Sequence, residues 1–115
     1  MIVENSTELG TLWSAALARD GIETTLVSDE DAAIAFLQVH APDVIIADLD
    51  LPDAVAVADY TAYRHPGARV IFVTATSFFS DGTIFSHSPN ACAVLPARTQ
   101  PDDLAAVVEF HGQRK

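Results

Sequence analysis

The sequence contains a single cysteine, few basic residues and no long hydrophobic segment. Cys92 cannot form an internal disulfide, and its apolar neighbours favour a role in packing over reactivity. Six basic residues stand against sixteen acidic ones, and the net charge of −10 disfavours direct binding to nucleic acid. No apolar run approaches the roughly 20 residues that cross a bilayer, and no secretory signal begins the chain. We therefore expect a cytoplasmic protein that does not associate with membranes.

The length and composition of the chain suit one folded domain. The 115 residues are 50% hydrophobic, and the mean hydropathy is +0.24. Chains of roughly 100 to 150 residues bury one substantial core but rarely two. Because the sequence shows neither a linker nor an internal repeat, we interpret residues 1–115 as a single domain.

Strand and helix patterns alternate along the whole chain. The predicted strands are residues 2–3, 24–27, 43–47, 70–73 and 93–95. Helices are predicted after each strand, and Ser28 supplies the capping side chain of the second one. The fourth helix, within residues 76–89, is expected to be short or irregular because serine, threonine and glycine dominate there. This alternation predicts an α/β fold, a doubly wound five-stranded parallel sheet with helices on both faces.

Polar residues follow the predicted strands at the sheet edge where ligands of such folds bind. Four of them stand directly after strands: Glu4, Asn5, Asp48 and Thr74. Adjacent central strands bring Glu4 and Asp48 together, and two carboxylates with an amide oxygen suit Mg²⁺, which takes oxygen ligands and keeps its waters. The competing interpretation is that the two acids only cap strand ends or face helix dipoles.

The segment that surrounds Asp48 resembles a known phosphoacceptor segment. Residues 44–52, Val-Ile-Ile-Ala-Asp-Leu-Asp-Leu-Pro, are similar to that of response-regulator receiver domains. Residues 73–75, Val-Thr-Ala, resemble the strand end whose hydroxyl contacts phosphoryl oxygens, and residues 101–104 resemble the start of the last helix. The resemblance covers essentially the whole chain. It implies a CheY-like, flavodoxin-like fold with the strand order 2-1-3-4-5.

The resemblance also implies a function for these residues. Asp48 would accept a phosphoryl group from a sensor histidine kinase or a phosphotransfer protein, and Thr74 would contact that group. Glu4, Asn5, Asp48 and the backbone carbonyl of Asp50 would hold Mg²⁺. The expected output is an altered affinity for a downstream protein. No enzymatic activity is expected beyond the phosphorylation and dephosphorylation of the chain itself.

Three positions depart from the family pattern. Asn5 replaces one of two acids that are usual after the first strand, so we expect weak Mg²⁺ binding. Ala97 aligns with the usual lysine after the fifth strand, and Arg98 is the candidate to replace it because guanidinium binds phosphate in bidentate fashion. Val94 stands where the family tends to have an aromatic residue that reports the state of the threonine.

These departures keep a second interpretation open. A degenerate receiver would retain the fold and bind a partner protein without phosphorylation. A small enzyme of similar topology is disfavoured, because the sequence has no phosphate-binding loop and no catalytic pair. The sequence leaves open a homodimer through the altered face formed by the fourth helix, the fifth strand and the fifth helix.

Overall fold

A five-stranded parallel sheet carries helices on both faces. The computed structural model describes residues 1–4, 6–51, 54–74, 90–96 and 99–112. The strands are β1 (Ile2–Val3), β2 (Leu26–Val27), β3 (Val44–Asp48), β4 (Arg69–Thr74) and β5 (Ala91–Pro96). The helices among the described residues are α1 (Thr7–Arg19), α2 (Glu30–Val39), α3 (Ala54–Arg64) and α4 (Pro101–Gly112). The strand order is β2-β1-β3-β4-β5, which confirms the predicted fold class.

The central strands are buried on both faces, which explains their continuous apolar sequences. Successive side chains of a strand point to opposite faces. In β4, Val70 and Phe72 therefore join one hydrophobic cluster, and Ile71 and Val73 join the other. Helices α2 and α3 contribute to the first cluster, whereas α1 and α4 contribute to the second. Trp13 of α1 is 1% exposed and is among the largest side chains of the second cluster.

Side-chain caps fix where the first two helices begin. The hydroxyl of Ser6 accepts a hydrogen bond from the backbone N–H of Leu9 at 3.3 Å and starts α1. The prediction that Ser28 caps the second helix was wrong. Asp29 is the cap, because its Oδ1 accepts from the backbone N–H of Ala32 at 2.8 Å. A carboxylate is well suited to this position, since it also faces the positive end of the helix dipole.

Several predictions fall on residues outside the described ranges. The fourth helix was expected within residues 76–89, and the departures at Asn5 and Ala97 and the candidate cation Arg98 also lie outside these ranges. Val94, the remaining departure, is half-buried in β5 and packs against the first hydrophobic cluster. The described residues of the candidate site are therefore Glu4, Asp48, Asp50 and Thr74.

Candidate functional site

Three polar residues meet at the carboxyl edge of the sheet. β1 and β3 pair in register up to the residues that immediately precede Glu4 and Asp48. Asp48 itself pairs with Val73 of β4, so Thr74 comes one residue later on the neighbouring strand. Neighbouring strands lie about 4.8 Å apart. The strand register alone therefore brings Glu4, Asp48 and Thr74 to one site.

Asp48 ends β3 with its carboxylate half-buried and held by the following turn. Its Oδ1 accepts a hydrogen bond from the backbone N–H of Asp50 at 2.9 Å. The backbone carbonyl of Asp48 accepts from the N–H of Leu51 at 3.0 Å, which closes the turn. Leu49 is tied back to β4 by a 2.7 Å hydrogen bond from its N–H to the carbonyl of Val73. The turn thus presents an oriented carboxylate at the solvent edge of a rigid strand.

Thr74 and Asp50 form a direct side-chain contact across this edge. The Thr74 hydroxyl donates to Oδ1 of Asp50 at 2.7 Å, and Thr74 is 5% exposed. Asp50 is exposed, so its carboxylate lies between the buried hydroxyl and solvent. Sequence reasoning gave only the backbone carbonyl of Asp50 a role and missed this side chain. The available signal was the Asp-Leu-Asp spacing, which places two acids close to a predicted strand end.

Glu4 lies at the same edge and also forms a hydrogen bond at the start of helix α1. It is 2% exposed, and its Oε1 accepts a hydrogen bond from the backbone N–H of Ser6 at 2.9 Å. Its backbone N–H donates to the carbonyl of Val27 at 3.0 Å, which continues the pairing between β1 and β2. The structure therefore combines both interpretations of Glu4, as a neighbour of Asp48 in the sheet and as a carboxylate at a helix start.

The described arginines are placed away from Asp48. Arg19 donates to Asp102 at 2.9 Å, and Arg64 donates to a backbone carbonyl of α2 at 3.3 Å. Arg69 is the first residue of β4 and lies at the opposite edge of the sheet. Arg98 is outside the described residues, but it follows the last residue of β5 by two positions. Among the basic residues of the sequence, it is the one that closely follows a strand end at this edge.

The donor set at the site suits a metal ion that keeps its water ligands. Within the described ranges, no three side chains of histidine, cysteine, aspartate or glutamate are grouped to hold a metal ion. Glu4 and Asp48 supply two carboxylates, and the backbone carbonyl of Asp50 is a third oxygen at this edge. Mg²⁺ fits such a set, because it is commonly bound by one or two carboxylates and completes its coordination with waters.

A cavity of about 940 Å³ opens at the opposite edge of the sheet. Its lining includes Met1, Thr25 and Asp43, which lie at the amino ends of the strands. None of Glu4, Asp48, Asp50 and Thr74 lines it. The described residues of the polar site therefore lie apart from this cavity.

Comparisons with known sequences point to one family. The family model of the response regulator receiver domain matches residues 1–109. The DNA-binding transcriptional regulator NtrC of Salmonella typhimurium is 28% identical over 110 residues, which are 94% of this chain. The same match covers 23% of that protein, so the chain spans about a quarter of its length.

Solved structures of the same type share the fold. The solution structure of the BeF₃-activated receiver domain of NtrC has a TM-score of 0.79 and 28% identity, and it covers 96% of this chain and 90% of that one. The CheY-like receiver domain protein of Methanospirillum hungatei JF-1 has a TM-score of 0.85 and 20% identity, over 96% and 90% of the two chains. The second likeness concerns the fold alone.

Proposed function

Because the chain belongs to the family of response regulator receiver domains, we propose that it is a phosphoacceptor switch whose acceptor is Asp48. Members of this family are signalling modules of two-component systems. The observation that carries the proposal is the oriented carboxylate of Asp48 at the end of β3, beside the Thr74 hydroxyl at the end of β4. A carboxylate is an established type of covalent nucleophile, including in phosphoryl transfer.

The transfer follows from the chemistry of the two partners. A carboxylate oxygen of Asp48 attacks the phosphorus of a phosphohistidine on a sensor kinase or phosphotransfer protein. A P–O bond forms as the P–N bond breaks, and the imidazole nitrogen keeps the electron pair and takes up a proton. The product is an aspartyl phosphate that carries more negative charge and more acceptor oxygens than the carboxylate it replaces.

Residues around Asp48 have distinct roles in this proposal. The backbone N–H of Asp50 orients the acceptor carboxylate, and the Thr74 hydroxyl donates to a phosphoryl oxygen after transfer. Mg²⁺ held by Glu4, Asn5, Asp48 and the carbonyl of Asp50 would neutralise charge on the transferred group. Arg98 supplies the cation that the family usually places after β5. The output is a changed affinity for a downstream protein.

Other expectations about partners and location stay predictions. The sensor kinase or phosphotransfer protein, the downstream protein and a homodimer are proposals for this chain, and so is the lack of direct nucleic acid binding. Among the described residues, no helix has the length and apolar character needed to span a bilayer. The cytoplasmic location also stays a prediction from the sequence.

Labelling by a small phosphodonor tests Asp48. The native chain, Asp48→Asn and Asp59→Asn are incubated with acetyl phosphate and Mg²⁺ and separated on a phosphate-affinity gel. Asp59 is an exposed carboxylate on α3, so its variant matches the change in charge away from the site. We expect the native chain and Asp59→Asn to be labelled and Asp48→Asn to stay unlabelled, because only the last lacks the nucleophile.

Two outcomes would contradict the proposal. Equal labelling of Asp48→Asn would place the acceptor elsewhere. A folded native chain that is never labelled would favour the alternative, a degenerate receiver that binds a partner without phosphorylation. In the same assay, Arg98→Ala should lower the labelling rate about ten-fold, since a bidentate charged hydrogen bond is lost, and Arg98→Lys should recover part of it.

A further inference from the structure

Asp50 connects the two residues on which the proposed switch depends. Its backbone N–H donates to Oδ1 of Asp48 at 2.9 Å, and its own Oδ1 accepts from the Thr74 hydroxyl at 2.7 Å. A single residue thus contacts the acceptor through its main chain and the responding hydroxyl through its side chain. This arrangement makes the side chain of Asp50 part of the switch, and not only its carbonyl.

The Thr74 hydroxyl has one proton and can donate one hydrogen bond at a time. In the structure that proton is directed at the Asp50 carboxylate, at a distance typical of charge-assisted O–H···O bonds. A phosphoryl group on Asp48 would need the same proton for its own oxygen. The two acceptors therefore compete for Thr74.

We propose that the Asp50 carboxylate holds the Thr74 hydroxyl in the resting protein and sets how readily a phosphoryl group captures it. This inference rests on the proposed function of Asp48 and adds a regulatory element to that site. Asp50 acts as a positioning residue, because it works through Thr74 and not by bonding to the transferred group.

The surroundings of Asp50 make this bond easy to exchange. Asp50 is exposed, so water can replace the Thr74 hydroxyl as a donor to the Asp50 carboxylate. Thr74 is 5% exposed, so water does not easily replace the carboxylate as the acceptor of the Thr74 proton. A phosphoryl group brings roughly −1.5 to −2 charges close to Asp50, and like charges repel. Phosphorylation thus both attracts Thr74 and pushes Asp50 away.

Beryllium fluoride with saturating Mg²⁺ is the probe, because it mimics a phosphoryl group without a transfer step. Its affinity is measured for the native chain and for Asp50→Ala, Thr74→Val and the double variant. We expect Asp50→Ala to bind the probe about three- to ten-fold more tightly, since a charge-assisted but solvent-exposed competitor is gone. Asp59→Ala, which removes an exposed carboxylate from α3, should bind like the native chain.

The double variant separates competition for the hydroxyl from simple charge repulsion. If Asp50 acts through Thr74, the gain from Asp50→Ala should fall below about two-fold when Thr74 is already valine. An equal gain in both backgrounds would mean that repulsion alone is responsible and would overturn the inference. No gain in either background would overturn it as well.

The resting state is tested without any phosphoryl mimic. Three-bond couplings to the Thr74 methyl group report its side-chain rotamer in a ¹³C-labelled chain. We expect one dominant rotamer in the native chain and averaged couplings in Asp50→Ala, because the hydroxyl has lost its bond to Asp50. Unchanged couplings would overturn the resting-state bond.

Failure of the inference differs from failure of the proposed function. If the native chain binds beryllium fluoride and Asp50→Ala binds it equally, the inference falls and the phosphoacceptor function stands. If none of the variants binds it, the proposed function falls and the inference falls with it.

Discussion

Asn90 holds the connection between α3 and β4 with one buried amide. It is 8% exposed, and its Nδ2 donates to the carbonyls of Ala68 at 2.8 Å and His65 at 3.3 Å. Its backbone carbonyl accepts from the N–H of Val70 at 2.9 Å. A buried carbonyl without a donor is costly. The amide therefore ties the residue that precedes β5 to the connection between α3 and β4.

Removing this amide should destabilise the fold. Asn90→Ala is expected to lower the free energy of unfolding by about 1 to 3 kcal/mol, because the Ala68 carbonyl loses the donor from Asn90 and the His65 carbonyl keeps only the N–H of Ala68. Asn90→Asp should cost more, since it directs a carboxylate at carbonyl oxygens. Urea denaturation measures both. Gln38→Ala on the exposed face of α2 is the control, with a change within about 0.5 kcal/mol. A cost for Asn90→Ala no larger than the control would show that the amide is dispensable.

At the scale of elements, α1 approaches the edge strand β2 unusually closely. Gly10 is the fourth residue of α1 and is buried. A Cβ at this position would lie 2.7 and 2.8 Å from the two Cδ atoms of Leu26. Because Gly10 has no side chain, α1 can pack this closely against β2. This packing also fixes how the amino end of α1, next to Glu4, lies on the sheet.

The close approach should reduce the usual gain from replacing glycine in a helix. Gly→Ala in a helix interior ordinarily stabilises by about 0.5 to 1 kcal/mol. In the native background we expect Gly10→Ala to give a smaller gain or none, because the exposed Leu26 side chain must move. In Leu26→Ala the same change should give the ordinary gain. Urea denaturation of the four chains of this double-mutant cycle measures the difference. Equal effects in both backgrounds would mean that Leu26 does not limit the approach.

At the scale of the whole molecule, the buried amino group of Met1 contributes to how the stability of the fold depends on pH. This group donates to the carbonyl of Val44 at 3.2 Å and thereby links the start of β1 to β3. Burial lowers its pKa from 8.0 to about 6. The folded protein thus disfavours the charged amine more than the unfolded chain does.

The free energy of unfolding should consequently rise between about pH 6 and pH 8, because the unfolded chain binds the extra proton in this window. Below it the amine is charged in both states and the fold bears the full burial cost. Above it both amines are neutral and the cost is gone. The rise expected from a shift of about two pKa units is roughly 2 to 3 kcal/mol.

Acetylation of the Met1 amine supplies the matched control for this pH dependence. Urea denaturation at several pH values is compared for the free and the acetylated chain, which share all side chains. The difference in free energy of unfolding between the two should change across the window, because only the free amine titrates. A constant difference would show that the amine is not desolvated in the folded protein.

The local pattern of the sequence determined the class of the fold and the position of Asp48, the proposed acceptor. Continuous apolar runs at residues 44–47 and 70–73 predict strands buried on both faces, because only a parallel sheet between helix layers hides both sides. Asp48 follows the first of these runs directly. Its place at the carboxyl edge is therefore encoded by neighbours in sequence.

Contacts across elements were decided only by the tertiary structure. Asp29 rather than Ser28 caps α2, although both residue types are good caps and sequence alone does not separate them. The bond between Thr74 and Asp50 depends on the register of β3 against β4 and on the turn after Asp48. The register of β1 against β3 likewise places Glu4 next to Asp48 at one edge of the sheet. The bond between Thr74 and Asp50 and the pairing of β1 with β3 join residues that are distant in the chain, and no periodic pattern of side chains records them.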